Sequence, residues 1–418
     1  MKLRTNYDFI IIGAGTVGMA CAIALAQREY SVLLLDNKPA PSADDFAKRL
    51  AQRDARVYAL NTASIALFDA VGVWQNMTRR ADYTAMQVWA KDGRGELKFG
   101  GDDVLHPSIL GSMVEPSVID HALWQKSLML SDHLHIGYGA QLLGDGMAFD
   151  VLSDGVMVRF VMDNQSYAAR ASIVLGADGR GSMVRTTLGI ELARLDYHQT
   201  AICCAIHTDK PHGQTARQAM LPTGTLALLP LADLHADDGG HWQSVVWTLP
   251  SALAYDYLDK FKQDPQFLLH ELEQASGFEL GAISQVESVA SFPLSAQMAA
   301  RYHIGRVGLM GDAAHGVHPL AGQGLNLGLA DVIALLDSVD KYKHQHRKLD
   351  ARLLHDYEHA VKGYNALMMH SFSMINFAFA SGVADLHSFG FVRSEVMNLL
   401  SKNRAAMAFF EQHANGQG

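Results

Sequence analysis

The chain has 418 residues and a formal net charge of −9, and 49% of its residues are hydrophobic while 18% are charged. These values are typical of a globular protein with an ample core and enough length for two joined domains, and the negative charge argues against a nucleic-acid partner. The three cysteines fit no disulfide framework, and no stretch reaches the roughly 18 apolar residues of a membrane span, so we expect a protein of the reducing cytoplasm.

The N-terminal stretch predicts a dinucleotide-binding unit. An apolar strand over residues 9–12 is followed at once by a G-x-G-x-x-G motif and a helix. In this context Gly13 makes the turn, Gly15 lets a pyrophosphate approach the helix N-terminus, and Gly18 lets the helix pack on the strand. Asp36 ends the next strand, where a carboxylate can hold the adenosine ribose.

The following stretch contains one candidate cationic ligand. Arg56 lies between a loop rich in Pro, Ala and Asp and a helix predicted over residues 62–71. A guanidinium suits a pyrophosphate or a ring carbonyl, and the alternative is a surface arginine on a loop. Residues 83–100 alternate as strands do, and Pro116 is typical of a helix start.

The middle of the chain is predicted to be rich in strands. Residues 134–143, 148–152 and 156–162 predict an antiparallel meander, and the strand after it ends at Asp178-Gly179, which on its own is only a good turn. Residues 198–250 predict four β segments of a second sheet. Cys203 and Cys204 are adjacent in the first of them and should face opposite sides.

The most informative run extends from Gly311 to Gly328. An apolar strand over residues 306–310 leads into a long glycine-rich loop and then a helix. Glycines allow close approach of a ligand to the backbone, and the helix start presents free N–H groups to it. Asp312 is placed to accept hydrogen bonds from ligand hydroxyls. The alternative is a tight turn before a core helix.

A metal site can also be drawn on this run from Asp312, His315 and His318. No second cluster of ligands completes a coordination shell, and glycines serve a cofactor ring better than a metal. We therefore expect no metal.

Together these motifs resemble the single-component flavin-dependent aromatic hydroxylases related to p-hydroxybenzoate hydroxylase. The run from His318 to Gly328, ending at Asp331, resembles the signature of the ubiquinone-biosynthesis monooxygenases, the 2-polyprenylphenol hydroxylases. The resemblance covers nearly the whole chain and is weakest toward the C-terminus. Val71 and Pro116 depart from the family pattern, which has leucine and often asparagine at these positions.

The resemblance implies an α/β fold in which a Rossmann-like FAD-binding domain is interleaved with a β-sheet substrate domain, followed by a helical C-terminal segment. The FAD-binding domain would comprise residues 1–82, 110–192 and 286–345. The substrate domain would comprise residues 83–109 and 193–285, and the C-terminal segment residues 346–418.

The resemblance also implies roles for individual residues. The FAD-binding residues would be Gly13, Gly15, Gly18, Asp36, Arg56, Gln125, Asp178, Gly179, Gly311, Asp312, Gly324, Leu325 and Asn326. The backbone of Pro319, Gly322, Gln323 and Gly324 would lie at the flavin ring, where N–H groups can stabilise negative charge. No side chain is assigned as a catalytic base.

The implied activity is that of an FAD-dependent monooxygenase. It would use NAD(P)H and O2 to hydroxylate the aromatic ring of a polyprenylphenol intermediate in ubiquinone biosynthesis, through a flavin C4a-hydroperoxide. The alternatives are a flavin hydroxylase of a different aromatic compound, a flavin-dependent isoprenoid reductase and a flavin-containing scaffold of a quinone-synthesis assembly. We also expect a homo-oligomer and a peripheral contact with the inner membrane or with such an assembly.

The C-terminal segment is predicted to be helical and contains a stretch rich in Met and Phe over residues 368–379. Methionine side chains adapt to irregular partners. The stretch could form a wall for a polyprenyl tail, a dimer surface, a membrane-surface contact or a helix packed on the body of the protein.

Overall fold

The computed structural model describes residues 3–90, 96–100, 109–144, 146–316 and 324–380. Within these residues the chain forms twenty strands and nine α-helices. In chain order the elements are β1 (Asn6–Ile12), α1 (Thr16–Gln27), β2 (Val32–Asp36), α2 (Ala43–Leu50), β3 (Tyr58–Leu60), α3 (Thr62–Ala70), β4 (Arg80–Tyr83), β5 (Ala85–Ala90), β6 (Glu96–Gly100), β7 (Gly111–Val114), α4 (Pro116–Leu128), β8 (Leu134–Tyr138), β9 (Gln141–Leu142), β10 (Phe149–Val151), β11 (Val156–Met162), β12 (Gln165–Gly176), α5 (Met183–Thr187), β13 (Leu192–Thr208), β14 (Thr215–Leu221), β15 (Gly224–Pro230), β16 (Trp242–Pro250), α6 (Ser251–Gln263), α7 (Pro265–Ser276), β17 (Ile283–Ala299), β18 (His303–Ile304), β19 (Val307–Leu309), β20 (His315–Gly316), α8 (Gly324–His344) and α9 (Ala351–Ala380).

The first sheet is built around β1 and has nine strands in the described part of the chain. β1 pairs in parallel with β2 on one side and with β12 on the other, and β8 lies parallel beyond β2. The end of β12 also pairs in parallel with β19. Residues 9–12 and 32–35 are buried, as expected for parallel strands that are covered on both faces. The carboxyl ends of β1, β12 and β19 therefore meet at one edge.

The predicted meander was wrong for its first strand, residues 134–143, whereas β10 and β11 pair antiparallel as predicted. β8 ends at Tyr138 and pairs in parallel with β2, whereas β9 pairs with β11 on the far side of the sheet. Gly139 lies between them with a φ of +72°, so the chain turns away from the direction of β8 at a residue that tolerates this conformation.

The second sheet has eight strands within the described residues, in the order β20-β17-β13-β16-β15-β14-β5-β6. Its two longest strands, β13 and β17, pair antiparallel over 17 residues each. Helices α6 and α7 cover one face, toward which Ile202, Cys204 and Ile206 point. Cys203 points to the opposite face. The adjacent cysteines thus face opposite sides of the strand, which confirms the prediction.

A third sheet of three described strands, in the order β3-β7-β4, joins the other two sheets. Its apolar side chains pack on the face of the second sheet that α6 and α7 leave free. The cluster comprises Val57, Ala59, Ala81, Tyr83 and Met113 on one side and Ala205, Ala216, Leu229, Leu231 and Trp242 on the other. This contact closes one side of the space between the first and second sheets.

The predicted α/β fold class is confirmed. Helix α9 lies against α8, and Leu353, Leu354, Tyr357 and Val361 are buried in the main core, so the first part of the C-terminal segment packs on the body of the protein. No helix among the described residues is long and apolar enough to cross a membrane. Residues 381–418 of the predicted helical segment lie outside the described residues.

Candidate functional site

The first glycine loop, residues 13–18, connects β1 to α1. Gly13 has a φ of +108°, and a Cβ on it would lie 2.4 Å from the carbonyl oxygen of Ala177. A Cβ on Gly18 would lie 2.0 Å from the carbonyl oxygen of Gly13. Gly15 is the N-cap of α1, no side chain caps this helix start, and a Cβ on Gly15 would meet open space. The uncapped backbone N–H groups of this helix start are therefore suited to bind an anion.

Asp36 lies at the end of β2, beside this loop. Its Oδ2 atom accepts a hydrogen bond from the backbone N–H of Ala14 at 2.6 Å, and its Oδ1 atom accepts one from the N–H of Lys38 at 2.7 Å. These bonds fix the carboxylate at the edge of the loop. Its contact with an adenosine ribose stays a prediction.

The second glycine loop is described in two parts, residues 311–316 after β19 and residues 324–328 at the start of α8. Gly311 has a φ of +56°, and its N–H donates to Oδ2 of Asp331 at 2.8 Å. A Cβ on Gly328 would lie 2.7 Å from Cγ2 of Val17. Helix α8 therefore starts in close contact with the first turn of α1, and the two helix N-termini converge.

Asp312 lies where the two loops meet. Its side chain is 49% exposed, and Oδ2 lies 3.5 Å from Nε of Arg180. Arg180 is held in turn by hydrogen bonds of 2.9 Å to the hydroxyl and the carbonyl oxygen of Ser295. The carboxylate of Asp312 therefore has a fixed position and room to accept hydrogen bonds from a ligand.

A cavity of about 500 Å³ lies between the glycine loops and the second sheet. We call its two sides the loop wall and the sheet wall. The loop wall comprises Gly15, Thr16, Val17, Ala177, Gly179, Arg180, Met310, Gly311, Asp312, Gly324, Leu325 and Gly328. The sheet wall comprises Ala201, Cys203, Leu229, Val246, Phe292, Pro293, Leu294 and Ser295. Arg56, Val57 and Tyr58 line the cavity between the two walls.

Arg56 is the cation at the junction of the two walls. Its guanidinium lies 4.8 Å from the ring centre of Phe292 and 5.3 Å from that of Tyr58, and it donates to the Tyr58 hydroxyl at 3.1 Å. Burial raises the pKa of Tyr58, so its hydroxyl stays protonated at neutral pH. Arg56 is an exposed residue that lines the cavity, and its predicted contact with a cofactor stays a prediction.

The turn at Asp178-Gly179 follows β12 and faces the same cavity through Gly179. Oδ2 of Asp178 accepts a hydrogen bond from the N–H of Val184 at 3.1 Å. Oδ1 of Asp178 is buried and has no hydrogen-bond donor among the described residues. A buried carboxylate oxygen without a donor is costly, which indicates that a ligand or water supplies one.

Six predicted cofactor-binding residues are absent from the cavity lining, namely Gly13, Gly18, Asp36, Gln125, Asp178 and Asn326. The Asn326 side chain is buried, where it accepts hydrogen bonds from Ser64 Oγ and the Asn61 N–H and donates to the carbonyl oxygen of Ala59 at 2.7 Å. It thus joins α8 to β3 and α3. Gln125 is half-buried on α4 and is absent from the cavity lining. Their contacts with a cofactor stay predictions.

Three predicted residues of the second loop, Pro319, Gly322 and Gln323, lie outside the described residues. The structure describes this loop on both sides of them, up to Gly316 and again from Gly324. Their predicted position at the flavin ring stays a prediction.

Sequence reasoning missed a buried ion pair behind the second glycine loop. Nε2 of His315 lies 2.6 Å from Oδ2 of Asp331, and both side chains are at most 5% exposed. Burial alone would lower the pKa of His315, but the charge of Asp331 and the hydrogen bond to it outweigh burial and raise the pKa. Asp331 ends the run that resembles the family signature and His315 lies three residues before that run, but the sequence does not specify that the two side chains pair.

The geometry fits FAD better than it fits a mononucleotide. Two converging helix starts offer backbone N–H groups for phosphates, and Asp36 and Asp312 lie at separate places where a ligand could present hydroxyls. The sheet wall offers an apolar surface to a planar ring. Gly15, Asp312 and the sheet wall line one cavity, and Asp36 lies outside that lining at the edge of the first loop.

The comparisons with known sequences agree with this geometry. Residues 6–362 match the family profile described as FAD binding domain. The 3-demethoxyubiquinol 3-hydroxylase of Escherichia coli (strain K12) is 31% identical over 341 residues, which cover 79% of this chain and 78% of that protein. Ubiquinone hydroxylase UbiL of Rhodospirillum rubrum is 32% identical over 336 residues, which cover 79% of this chain and 71% of that protein.

Solved structures show the same fold at low sequence identity. The crystal structure of p-nitrophenol 4-monooxygenase PnpA from Pseudomonas putida DLL-E4 superposes with a TM-score of 0.76 at 16% identity, covering 99% of this chain and all of that chain. The structure of aklavinone-11 hydroxylase with FAD and aklavinone superposes with a TM-score of 0.66 at 20% identity, covering 92% and 71% of the two chains.

The fold, the two glycine loops and the relatives at 31 and 32% identity place the chain among the flavin-dependent monooxygenases. Within that class, the chain belongs to the FAD-binding-domain family, whose profile spans most of its length. The protein is an FAD-dependent monooxygenase, as its resemblance to this family predicted.

Proposed function

We propose that this enzyme uses NAD(P)H and O2 to hydroxylate the aromatic ring of a polyprenylphenol intermediate of ubiquinone biosynthesis. Two observations support the proposal. The relatives described above are named as ubiquinone hydroxylases, and the sheet wall of the cavity is apolar except for Ser295, which is bonded to Arg180. An apolar wall opposite the cofactor loops suits a phenol ring with an apolar tail.

The single observation that carries the proposal is the contrast between the two walls. The loop wall has glycines, two helix starts and Asp312, which suit the phosphates and hydroxyls of FAD. The sheet wall has the small side chains of Ala201 and Cys203 and the larger Leu229 and Phe292 around one open space. A substrate ring would lie between this wall and the flavin.

Individual residues take the following proposed roles. Gly13, Gly15 and Gly18 would shape the pyrophosphate site, Asp36 would bind the adenosine ribose, and Asp312 would bind hydroxyls of the ribityl chain. Asp178, Gly179 and Arg56 would complete the cofactor site. The bound flavin supplies the redox and oxygen chemistry.

The protein's own groups would orient the ring, exclude water and hold protons. The N–H groups at the start of α8 would stabilise negative charge on the flavin, with the helix dipole adding to the effect. The apolar sheet wall would keep water from the reacting atoms. Tyr58, whose pKa burial raises, would donate a hydrogen bond and would not act as a base.

A long tail would contribute much of the affinity, at about 0.8 kcal/mol for each buried CH2 group. Because such a substrate partitions into lipid, we further propose a peripheral contact with the inner membrane. Sedimentation with anionic vesicles that contain the substrate tests it, and protein that stays in the supernatant would contradict it. Self-association into a homo-oligomer also stays a prediction, which light scattering tests.

The proposed activity is tested by product analysis under 18O2. The purified enzyme is supplied with NADPH or NADH and a short-tailed polyprenylphenol. We expect one 18O atom in the ring of the product, and p-hydroxybenzoate serves as the matched substrate without a tail. A labelled product from the tail-less compound alone would show a hydroxylase of other aromatics. Nicotinamide oxidation without any oxygenated product would contradict the proposal.

A further inference from the structure

A buried ion pair fastens the second sheet to the segment that carries Arg56. We call residues 53–56 the clamp segment. Arg53 is 5% exposed and pairs with Asp238, which is 8% exposed, and its Nη1 atom lies 3.6 Å from Oε2 of Glu287. The guanidinium also lies 3.8 Å from the ring centre of Trp242. Arg53 is therefore enclosed by residues of the second sheet and of the loop before β16.

Residues other than Arg53 also hold the Asp238 carboxylate in place. Its Oδ2 atom accepts hydrogen bonds from the N–H groups of Leu234 and His235 at 2.7 and 3.0 Å, and its Oδ1 atom accepts one from Nε1 of Trp242 at 3.2 Å. A carboxylate with three protein donors loses little freedom on pairing with a guanidinium. The position of Arg53 is thus set by the loop before β16.

The backbone of the clamp segment is fastened on both sides. The carbonyl oxygen of Arg53 accepts a hydrogen bond from Ser288 Oγ at 2.6 Å. Ser288 lies at a register shift of β17 with a φ of +55°, an unusual conformation for serine that this bond accompanies. On the other side Asp54 Oδ2 accepts from the N–H of Ser117 at the start of α4, and the Asp54 N–H donates to Glu115, both at 2.7 Å.

The next two residues pack beside the sheet wall, and only Arg56 lines the cavity itself. Ala55 packs against the cluster of Ala201, Cys203 and Leu294, and Arg56 lines the cavity against Phe292. The clamp segment therefore spans from the second sheet to α4 and lies over the cavity face that contains Cys203. Cys203 is only 3% exposed.

We propose that Arg53 is a positioning residue that keeps the side of the cavity closed by holding the clamp segment on the second sheet. Arg53 is not among the residues that line the cavity and acts through Ala55 and Arg56. Loss of its charge would leave Asp238 buried and unpaired, which favours opening of the segment. This role needs a flavin site next to the cavity but no particular phenol as substrate.

Cys203 offers a direct measurement of opening. The holoenzyme and its Arg53→Met variant are treated with a maleimide under native conditions, and labelling of each cysteine is followed by peptide mass spectrometry. Cys21 and Cys204 are fully buried elsewhere and report global unfolding. Arg28→Met, which removes the partly exposed pair with Asp340 at 2.8 Å, is the matched control.

We expect Arg53→Met to label Cys203 about tenfold faster or more, with Cys21 and Cys204 unchanged. Arg53→Lys should restore much of the protection because it keeps the charge, and Arg28→Met should have no effect on Cys203. An unchanged Cys203 rate, or equal acceleration at all three cysteines, would overturn the proposal. If Arg53→Met does not fold, Asp238→Asn supports the same comparison. The assay contains no phenol or nicotinamide, so its outcome is independent of the proposed substrate.

Discussion

The loop wall of the cavity contains five glycines and the charged Arg180 and Asp312, whereas the sheet wall consists of apolar side chains except for Ser295. The first glycine loop beside the loop wall is shaped by a local contact, the 2.0 Å that would separate a Cβ on Gly18 from the carbonyl oxygen of Gly13. The sheet wall depends on strand pairs that are distant in sequence, such as β13 with β17. The comparison suggests that the loop wall sets cofactor affinity and tolerates little change, while the sheet wall sets substrate choice and tolerates repacking.

The largest effect is expected from a side chain placed on the open part of the loop wall. Gly15→Val adds atoms where the structure has room for a phosphate and no protein atom within 4 Å of a Cβ. We expect the variant to fold and its binding free energy for FAD to be weaker by about 3 kcal/mol or more. The reason is that the valine side chain occupies the space that the phosphate needs. FAD titration by fluorescence measures it, with Gly363→Ala on α9 as control. An unchanged affinity would show that the pyrophosphate lies elsewhere.

Asp312 should give the next largest effect on the same wall. Asp312→Ala removes a half-exposed carboxylate without disturbing a core contact. A hydrogen bond to a charged group contributes about 1.5–3 kcal/mol, so FAD retention should fall by a corresponding factor. Flavin content after gel filtration measures it. Full occupancy in the purified variant would contradict the proposed role of Asp312.

A substitution on the sheet wall should change the kinetic parameters for the substrate. Cys203→Leu enlarges a side chain that lines the cavity. It should lower kcat/KM for the phenol by a factor that corresponds to about 1–2 kcal/mol of activation free energy, while the FAD affinity stays unchanged. Ile202→Val, on the opposite face of β13, is the control and should change only stability, by about 0.5–1.5 kcal/mol. If Cys203→Leu weakens FAD and leaves phenol kinetics unchanged, the two walls have been assigned wrongly.

The smallest effect concerns the ion pair behind the loop wall. The pKa of His315 is raised in the folded state, because Asp331 outweighs the opposing effect of burial. Its contribution to stability is therefore complete below the ordinary histidine pKa of about 6.5 and is lost as pH rises through the raised value. Urea unfolding from pH 6 to 9 measures it against His315→Gln. A stability difference between the two proteins that grows with pH would contradict this sign.

The glycines of the first loop could be predicted one by one because the motif that specifies them is local. Gly13 makes the turn, Gly15 lets a pyrophosphate approach the backbone, and Gly18 lets the helix pack on the strand. All three lie within six residues of sequence. Asp312 follows from its place at the end of a strand. Asn326 shows the limit of this reasoning, since its place in the signature did not indicate that its side chain joins α8 to β3.

The sheet wall and the clamp segment could not be predicted in the same way. Alternation predicted that Cys203 and Cys204 face opposite sides, but which of them faces a cavity depends on where α6 and α7 pack. Arg53 and Asp238 are 185 residues apart in sequence, and no local pattern links them. The prediction for residues 134–143 was wrong for the same reason, because no local sequence pattern specifies that β8 pairs with β2.

The most direct test of the central claim is the absorbance spectrum of the purified enzyme, followed by NADPH addition in air with and without a short-tailed polyprenylphenol. We predict the spectrum of a bound flavin. We also predict that NADPH oxidation and the formation of hydroxylated product both depend on the phenol. A flavin-containing protein that forms only peroxide with the phenol present would contradict the assignment of the sheet wall. A colourless protein that takes up no added FAD would contradict the account of both walls.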